Sequence, residues 1–545
     1  MKLLRIVVPA LVLLGMAGAL GAATPTLEMA NFAPKDAQAV IETDNAAGLR
    51  QTLLESKFWA ALQDTEGFKE WHASQRYAEM QERLEQFLAN LEMNREQALK
   101  AYLGGRSAVV LLPSGDVKKP WGVILTECTF ENAQRLVHAS GAQEATKYRG
   151  VSIYEVQKEN RLDRMAFVRQ AKEGDAAVFV ATSATGDALE RVLDVIVGGG
   201  GAALGIEGHF KEAVDKLSPG WRIRAYAAEV PPRKSPGAVA MYPSASAMHF
   251  EWRIVSGQGD ISMTAPVVLT APAALPPTAV AAFASSFHPA AIWNTVKAKA
   301  AEQGEAALEK LRRGEMFVRG WFPGQTTEQI VGAFGPEAAM AILKGNDGAA
   351  PSLLGMAKLT DGGLPVARSF KDGLAAKAML LAALSEQNTN TPKLNVREEA
   401  HKGVNLLIIE APGVLEKMAG EWAKDIALTV AVTDKWLIVG TTPAGDRATI
   451  DTAADGKGSL AASLTAAGEK VPTTPATRWG IVQPASGADI VLSIVEKFAG
   501  KATVDQVKKL TNLAEVMKLV KRFVWTRVDE PTVIRGQADV QAISD

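Results

Sequence analysis

The chain has 545 residues, too many for one hydrophobic core, so two or more domains are expected. Apolar residues make up 47% and charged residues 22%, the balance of a folded chain rather than a disordered one. Lys and Arg number 59 against 60 Asp and Glu, a formal charge of −1, which lacks the positive field that nucleic-acid binding requires.

The first residues read as an export signal. Met1-Lys-Leu-Leu-Arg5 is a short positive region, Ile6 to Leu20 is apolar, and Gly21-Ala22-Ala23 offers small residues for cleavage. Residues 1–23 are therefore expected to be a signal peptide, with the mature chain starting near Thr24 in a periplasmic or other extracytoplasmic compartment. The alternative is a retained anchor, for which the run is short. No cysteine lies near the cleavage point, so lipid attachment there is not expected. The only cysteine, Cys128, cannot form an internal disulfide and is expected as a small buried apolar residue. Thr264 to Phe287 is uncharged, but Pro266, Pro272, Pro276 and Pro277 break any membrane helix there.

In chain order, a strand at Ala39–Glu42 precedes helices at Ala46–Glu55 and Phe58–Leu62. A long amphipathic helix is expected over Phe68–Leu91, with Phe68, Trp71, Met80, Leu84, Phe87, Leu88 and Leu91 mostly at three- and four-residue steps. Asn94 with Gln97 forms a capping box, and Gly104-Gly105 ends that next helix. Strands follow at Ser107–Leu112 and Trp121–Glu127, then a helix at Phe130–Ala139. Further strands are expected at Val151–Val156, Arg164–Gln170 and Ala177–Ala181, then a helix at Asp187–Val197. Trp221–Glu229, Met248–Ser256 and Asp260–Leu269 are β-like, with Gly257-Gln-Gly259 as a hairpin turn.

The chain also looks duplicated. Asp175-Ala-Ala-Val-Phe-Val-Ala-Thr-Ser-Ala-Thr-Gly-Asp187 aligns without a gap on Asp434-Lys-Trp-Leu-Ile-Val-Gly-Thr-Thr-Pro-Ala-Gly-Asp446. Other landmarks recur in the same order. Ala39–Glu42 matches Val280–Phe283, and Leu103–Leu112 matches Phe334–Leu343. Pro120 matches Pro351, Arg149-Gly-Val151 matches Lys402-Gly-Val404, and Phe250-Glu-Trp252 matches Phe523-Val-Trp525. The expected architecture is α+β: two tandem similar units, 24–270 and 271–545, each a mainly antiparallel sheet with helices packed on one face.

Candidate chemistry is sparse. The loops Thr182–Gly186 and Thr441–Gly445 precede helices and could hold an anion on backbone amides, but Ser and Thr there serve equally as caps, and Asp187 or Asp446 would repel phosphate. Gly198–Gly201 lacks the Lys-Ser/Thr of a phosphate loop and reads as a helix exit. The six histidines (His72, His138, His209, His249, His288 and His401) lie apart, with no zinc spacing. There is no Gly-x-Ser-x-Gly elbow; Ser285 with His288 is the nearest Ser/His pair, and Glu42 with Asp44 is not expected to form an acid–base pair. Eleven tryptophans, Trp252 and Trp525 among them, fit either core packing or ligand stacking. No catalytic, cofactor-binding or metal residue is assigned, binding residues stay unassigned, and no cofactor is expected.

Phe32-Ala-Pro-Lys-Asp36, Leu53-Leu-Glu-Ser-Lys-Phe-Trp59 and Asn94 with Tyr102-Leu-Gly-Gly-Arg-Ser-Ala-Val-Val110 resemble a family of exported bacterial proteins catalogued only as a domain of unknown function. The resemblance implies a bacterial envelope protein and carries no activity, ligand or site residue. The leading expectation is a non-enzymatic binding or scaffold protein for an envelope protein, glycan or lipid. A hydrolase with a carboxylate-based site and a carrier or chaperone for apolar cargo stand as alternatives. N-terminal sequencing of the exported protein should begin near Thr24; a start at Met1 would show that the leader is retained.

Overall fold

Valine-, alanine- and isoleucine-rich runs form strands, and polar helices with one apolar stripe are inserted between them. The structure, a computed structural model, describes residues 28–542 apart from 115–119, 159–160, 171–174, 185, 199–202, 231–233, 245, 256–264, 346–348, 388–392, 413, 416–421, 423, 470 and 499–502. The leader, Gly199–Gly201 and the turn expected at Gly257–Gly259 lie outside the described residues. The chain divides into two compact units. One runs to Asp260 and takes in Pro531–Asp545, and the other is Ile261–Glu530. The last fifteen residues, expected in the second unit, thus belong with the first.

The first unit contains β1 (Ala39–Thr43), β2 (Ser107–Leu112), β3 (Trp121–Thr129), β4 (Gln143–Tyr148), β5 (Val151–Lys158), β6 (Arg161–Arg169), β7 (Ala176–Thr182), β8 (Ile223–Val230), β9 (Ser235–Pro243) and β10 (Ala247–Val255). The second contains β11 (Ala279–Ser286), β12 (Phe334–Leu343), β13 (Ser352–Leu359), β14 (Asn395–His401), β15 (Val404–Glu410), β16 (Leu428–Val432), β17 (Trp436–Gly440), β18 (Arg478–Val482) and β19 (Val520–Asp529). β20 (Val533–Ala542) pairs with β10 at the edge of the first unit. All of these pairings are antiparallel, so the fold is α+β.

Strand order in the first unit is β4-β5-β6-β7-β3-β2-β1-β8-β9-β10, and in the second it is β14-β15-β16-β17-β13-β12-β11-β18-β19. Each strand of the second unit occupies the place of the strand ten earlier. The register recurs as well. Val40 lies opposite Val110 and Tyr226, and Ala282 lies opposite Ala341 and Ile481. Ala166 opposes Val180 as Ala431 opposes Ile438.

This register corrects the sequence alignment in places. Val123 faces Thr182 while its counterpart Leu354 faces Gly440, so the gapless Asp175/Asp434 match is one residue out along the strand. A one-residue slip turns every side chain to the opposite face, and a run apolar on both faces cannot reveal it. The Ala39/Val280 match slips in the same way. Trp252 lies on β10 and Trp525 on β19, the tenth and ninth strands of their series, so those two tryptophans do not correspond.

Helices line both faces of each sheet, where one face was expected. In the first unit Ala188–Val197 and Gly208–Val214 pack on Val40, Val110, Val123, Leu125 and Val180. Arg95–Leu103 and Phe130–Ala139 pack on Cys128, Met165 and Phe179, whose side chains point the other way. In the second unit Pro443–Asp455 and Leu460–Ala466 cover Ala341, Leu354, Met356 and Ile438, and Leu364–Gln387 covers Leu407, Val430 and Leu437 opposite. Strands buried on both sides read as continuous apolar runs, as Ala176–Ala181 does.

The helix expected over Phe68–Leu91 is two, Glu66–His72 and Gln75–Asn90, because the Ser74 hydroxyl accepts from the Tyr77 amide and starts a new helix. The Asn94–Gln97 capping box is present. β4 and β9 were not foreseen, being polar or interrupted by Pro and Gly; the described part of Asp260–Leu269 holds only an isolated bridge at Val267.

Arg149-Gly150 and Lys402-Gly403 both adopt positive φ, 49° and 82° against 47° and 79°, in the hairpins β4–β5 and β14–β15. Two left-handed residues in a row make the turn that follows strand twist. Gly403→Ala should lower the stability of the second unit by about 1 kcal/mol, and Gly403→Asn by less, in urea denaturation.

Candidate functional site

The chemistry-bearing side chains are dispersed. Glu42 accepts from Arg224 and from the Ala30 amide, while Asp44 goes to Arg106 and Arg222, so the two carboxylates serve different partners. Ser285 Oγ donates to backbone carbonyls of Ser286 and Thr477, not to His288. His249 contacts Asp539 at 2.7 Å and Glu251 at 3.4 Å, and His401 contacts Asp451, which Lys402 also engages. Among the described residues no cluster of His, Cys, Asp or Glu is arranged to hold a metal. Burial pushes the Cys128 thiol up to about 12, which leaves it protonated and unreactive.

The two loops weighed for anions differ. In the first, Thr182 Oγ1 donates to the Gly122 carbonyl and accepts from Ala184, and Asp187 makes no cap bond. In the second, Thr442 Oγ1 accepts from Gly445 at 3.1 Å as a helix cap. Beside that cap lies a cavity of about 320 Å³ lined by Lys344, Ser352, Arg397, Glu410, Lys424 and Arg447, among others. The corresponding place in the first unit is filled, because Trp121 occupies the register position of Ser352 and packs its ring on Gly186. Arg447 is held by Glu399 at 2.8 Å, Arg397 by Glu410 at 3.1 Å, and Lys344 by Asp489 at 2.6 Å. Those three charges are neutralised within the protein, which leaves little fixed field for an ion.

A second feature of this unit is larger. On the sheet face opposite Pro443–Asp455, cross-strand neighbours form two unbroken rows. Val439, Gly355, Met340, Phe283, Gly480 and Trp525 lie opposite one another in turn across β17, β13, β12, β11, β18 and β19. Leu353, Ile342, Ala281, Val482 and Phe523 form the adjoining row. Neither row holds a charged side chain. Six strands at the usual spacing span about 24 Å. Met340 is 67% exposed and Leu353 57%, with Val482 and Ile342 close to 40%. Trp525 lies flat over Gly480, where any side chain would collide with the indole, and stands 5.7 Å from Phe283.

The same strands in the first unit are better covered. Ile41, the counterpart of Phe283, packs with Ile223 and Met241 under Leu49 and Leu53 of the helix Ala46–Leu54. Helix Pro289–Gln303, which leaves the corresponding strand of the second unit, buries only Ala300. Sequence reasoning missed these rows because Ala338-Ala-Met-Ala-Ile-Leu343 is apolar at every position and shows no open side.

Among the described residues no helix is long and apolar enough to cross a membrane. No family model and no curated protein matches the sequence. Two solved structures, crystal forms III and I of TP0453, resemble it at 7% and 6% identity, with TM-scores of 0.26 and 0.24. Each match covers 44% of this chain, and 83% and 82% of TP0453. That likeness is too slight to bear on function.

Asp446 is not a site residue but a titrating one. It is fully buried in helix Pro443–Asp455, and neither carboxyl oxygen has a hydrogen-bond partner. Burial pushes it up from 3.8 to about 7, and the nearby Thr429 hydroxyl offsets little of this. Between those values the folded protein keeps a proton that the unfolded chain has lost. Its contribution to stability is therefore full below about pH 4 and lost as pH rises to about 7. Asp446→Asn should remove that decline, at most about 4 kcal/mol over the window, seen as the wild-type-minus-variant difference in urea stability at pH 4 and pH 8.

Proposed function

We propose that this is an exported, extracytoplasmic binding protein with two modules descended from one ancestor, whose contact surface is the open apolar face of the second unit. The observation that carries the reading is the pair of charge-free rows, with Met340 and Leu353 more than half exposed. A continuous apolar patch of this width marks an interaction surface more often than chance. Strand order and register shared through nine strands support the duplication; the export signal at residues 1–23 supports the compartment.

Binding here is by apolar complementarity. Backbone groups of the rows are engaged in the ladder, so a ligand meets side chains alone. The first unit, with helix Ala46–Leu54 on the matching strands, serves as a scaffold; in the second, helices Pro484–Phe498 and Val504–Lys518 lie against β19 and leave Met340 and Leu353 more than half exposed. An uncharged apolar dye such as N-phenyl-1-naphthylamine should bind the purified protein saturably. Met340→Lys and Leu353→Lys, both at exposed positions, should each weaken binding about tenfold by placing a charge in the rows. Dye binding unchanged in both variants would place the contact surface elsewhere.

A further inference from the structure

Which ligand the open face takes is written in its border. Along β18, Arg478 sits two residues from Gly480 and on the same face, exposed at the end of the apolar rows. Directly across the ladder is Arg527, whose Nη2 donates to Asp529 at 2.9 Å. Along β19 the order on this face is Lys521, Phe523, Trp525, Arg527, so two aromatic rings are bracketed by cations. The acid on this stretch of β19, Asp529, is buried and engaged by Arg527. With Arg527 neutralised by Asp529, Arg478 supplies the positive charge of the β18–β19 corner, beside rows whose backbone groups are taken up in the ladder.

We infer that the face binds a long-chain fatty acid, with the acyl chain lying along the two rows and the carboxylate at Arg478. This rests on the reading of the face as a ligand-binding surface. An extended peptide is disfavoured because its backbone would lose water without finding a partner. An aliphatic chain has no such loss, and each buried methylene contributes about 0.8 kcal/mol. A bilayer surface is the competing occupant, and the vesicle arm of the test separates it from a single lipid. Helix Leu364–Gln387 packs on Leu407, Val430 and Leu437 and reaches Val439 at one end of the rows.

The test is fluorescence titration of the full protein with cis-parinaric acid and with its methyl ester. The acid should bind at one per chain and roughly fivefold tighter than the ester. Arg478→Gln should abolish that difference by weakening the acid more than the ester, and Met340→Lys should weaken both ligands. Equal affinity of acid and ester, or a difference that survives Arg478→Gln, overturns the assignment of the carboxylate. If the naphthylamine dye binds and neither parinaric ligand does, the fatty-acid inference fails while the binding surface stands. If none of the three binds, the surface itself is refuted. Co-sedimentation with phosphatidylglycerol vesicles in the absence of parinaric acid binding would make the occupant a membrane and overturn the proposal.

Discussion

Alternation of side chains across a pleated sheet governs this protein. Ladder hydrogen bonds satisfy the backbone but bury no apolar side chain, and each strand sends successive residues to opposite sides. Strands as uniformly apolar as Ala176–Ala181 or Ala338–Leu343 therefore demand cover on both sides. The first unit supplies it with Ala188–Val197 and Gly208–Val214 on one face, and Ala46–Leu54, Arg95–Leu103 and Phe130–Ala139 on the other. In the second unit one face is closed by Pro443–Asp455 and Leu460–Ala466, Leu364–Gln387 closes only part of the other, and helices Pro484–Phe498 and Val504–Lys518 lie against β19. The candidate site is what that incomplete cover leaves open.

Because register is shared, positions can be compared between units one by one. Glu42 and Arg224 form a buried pair in the first sheet, 2% and 8% exposed, with Arg224 Nε 3.0 Å from the carboxylate. Removing one partner would strand a charge in low dielectric. The corresponding places in the second unit hold Ala284 and Trp479, an apolar solution to the same space. Trp121 gives way to Ser352, which opens the cavity beside Thr442. Met241 gives way to Arg527, and Ile223 to Arg478, so a seat for a helix becomes a cationic corner. The two units share a ladder register and differ in the side chains that decide what can approach it.

How much of this was legible in the sequence depends on the kind of signal. Caps were legible: Asn94 with Gln97, and Thr or Ser before helices, act over three or four residues, and their geometry is set by local sterics, whereas the Arg149-Gly150 and Lys402-Gly403 turns were read only as recurring landmarks. Helix Phe130–Ala139 was placed to the residue for the same reason. The recurrence of order was legible too, since the landmarks at Leu103/Phe334, Pro120/Pro351 and Arg149/Lys402 fall at matching register positions. Ser74 was not recognised as a break because the apolar spacing runs through it from Phe68 to Leu91.

The sequence by itself determined that the chain is an α+β protein with strand landmarks recurring in order, because these follow from composition and short-range spacing. Only the tertiary structure decided which side of each strand faces which helix, that helices line both faces, and that Met340, Leu353 and Trp525 share an open surface with Arg478 at its edge. The reason is parity: in a strand apolar at every position, the face each residue takes is fixed by pairing with strands tens to hundreds of residues away, and no local pattern records it.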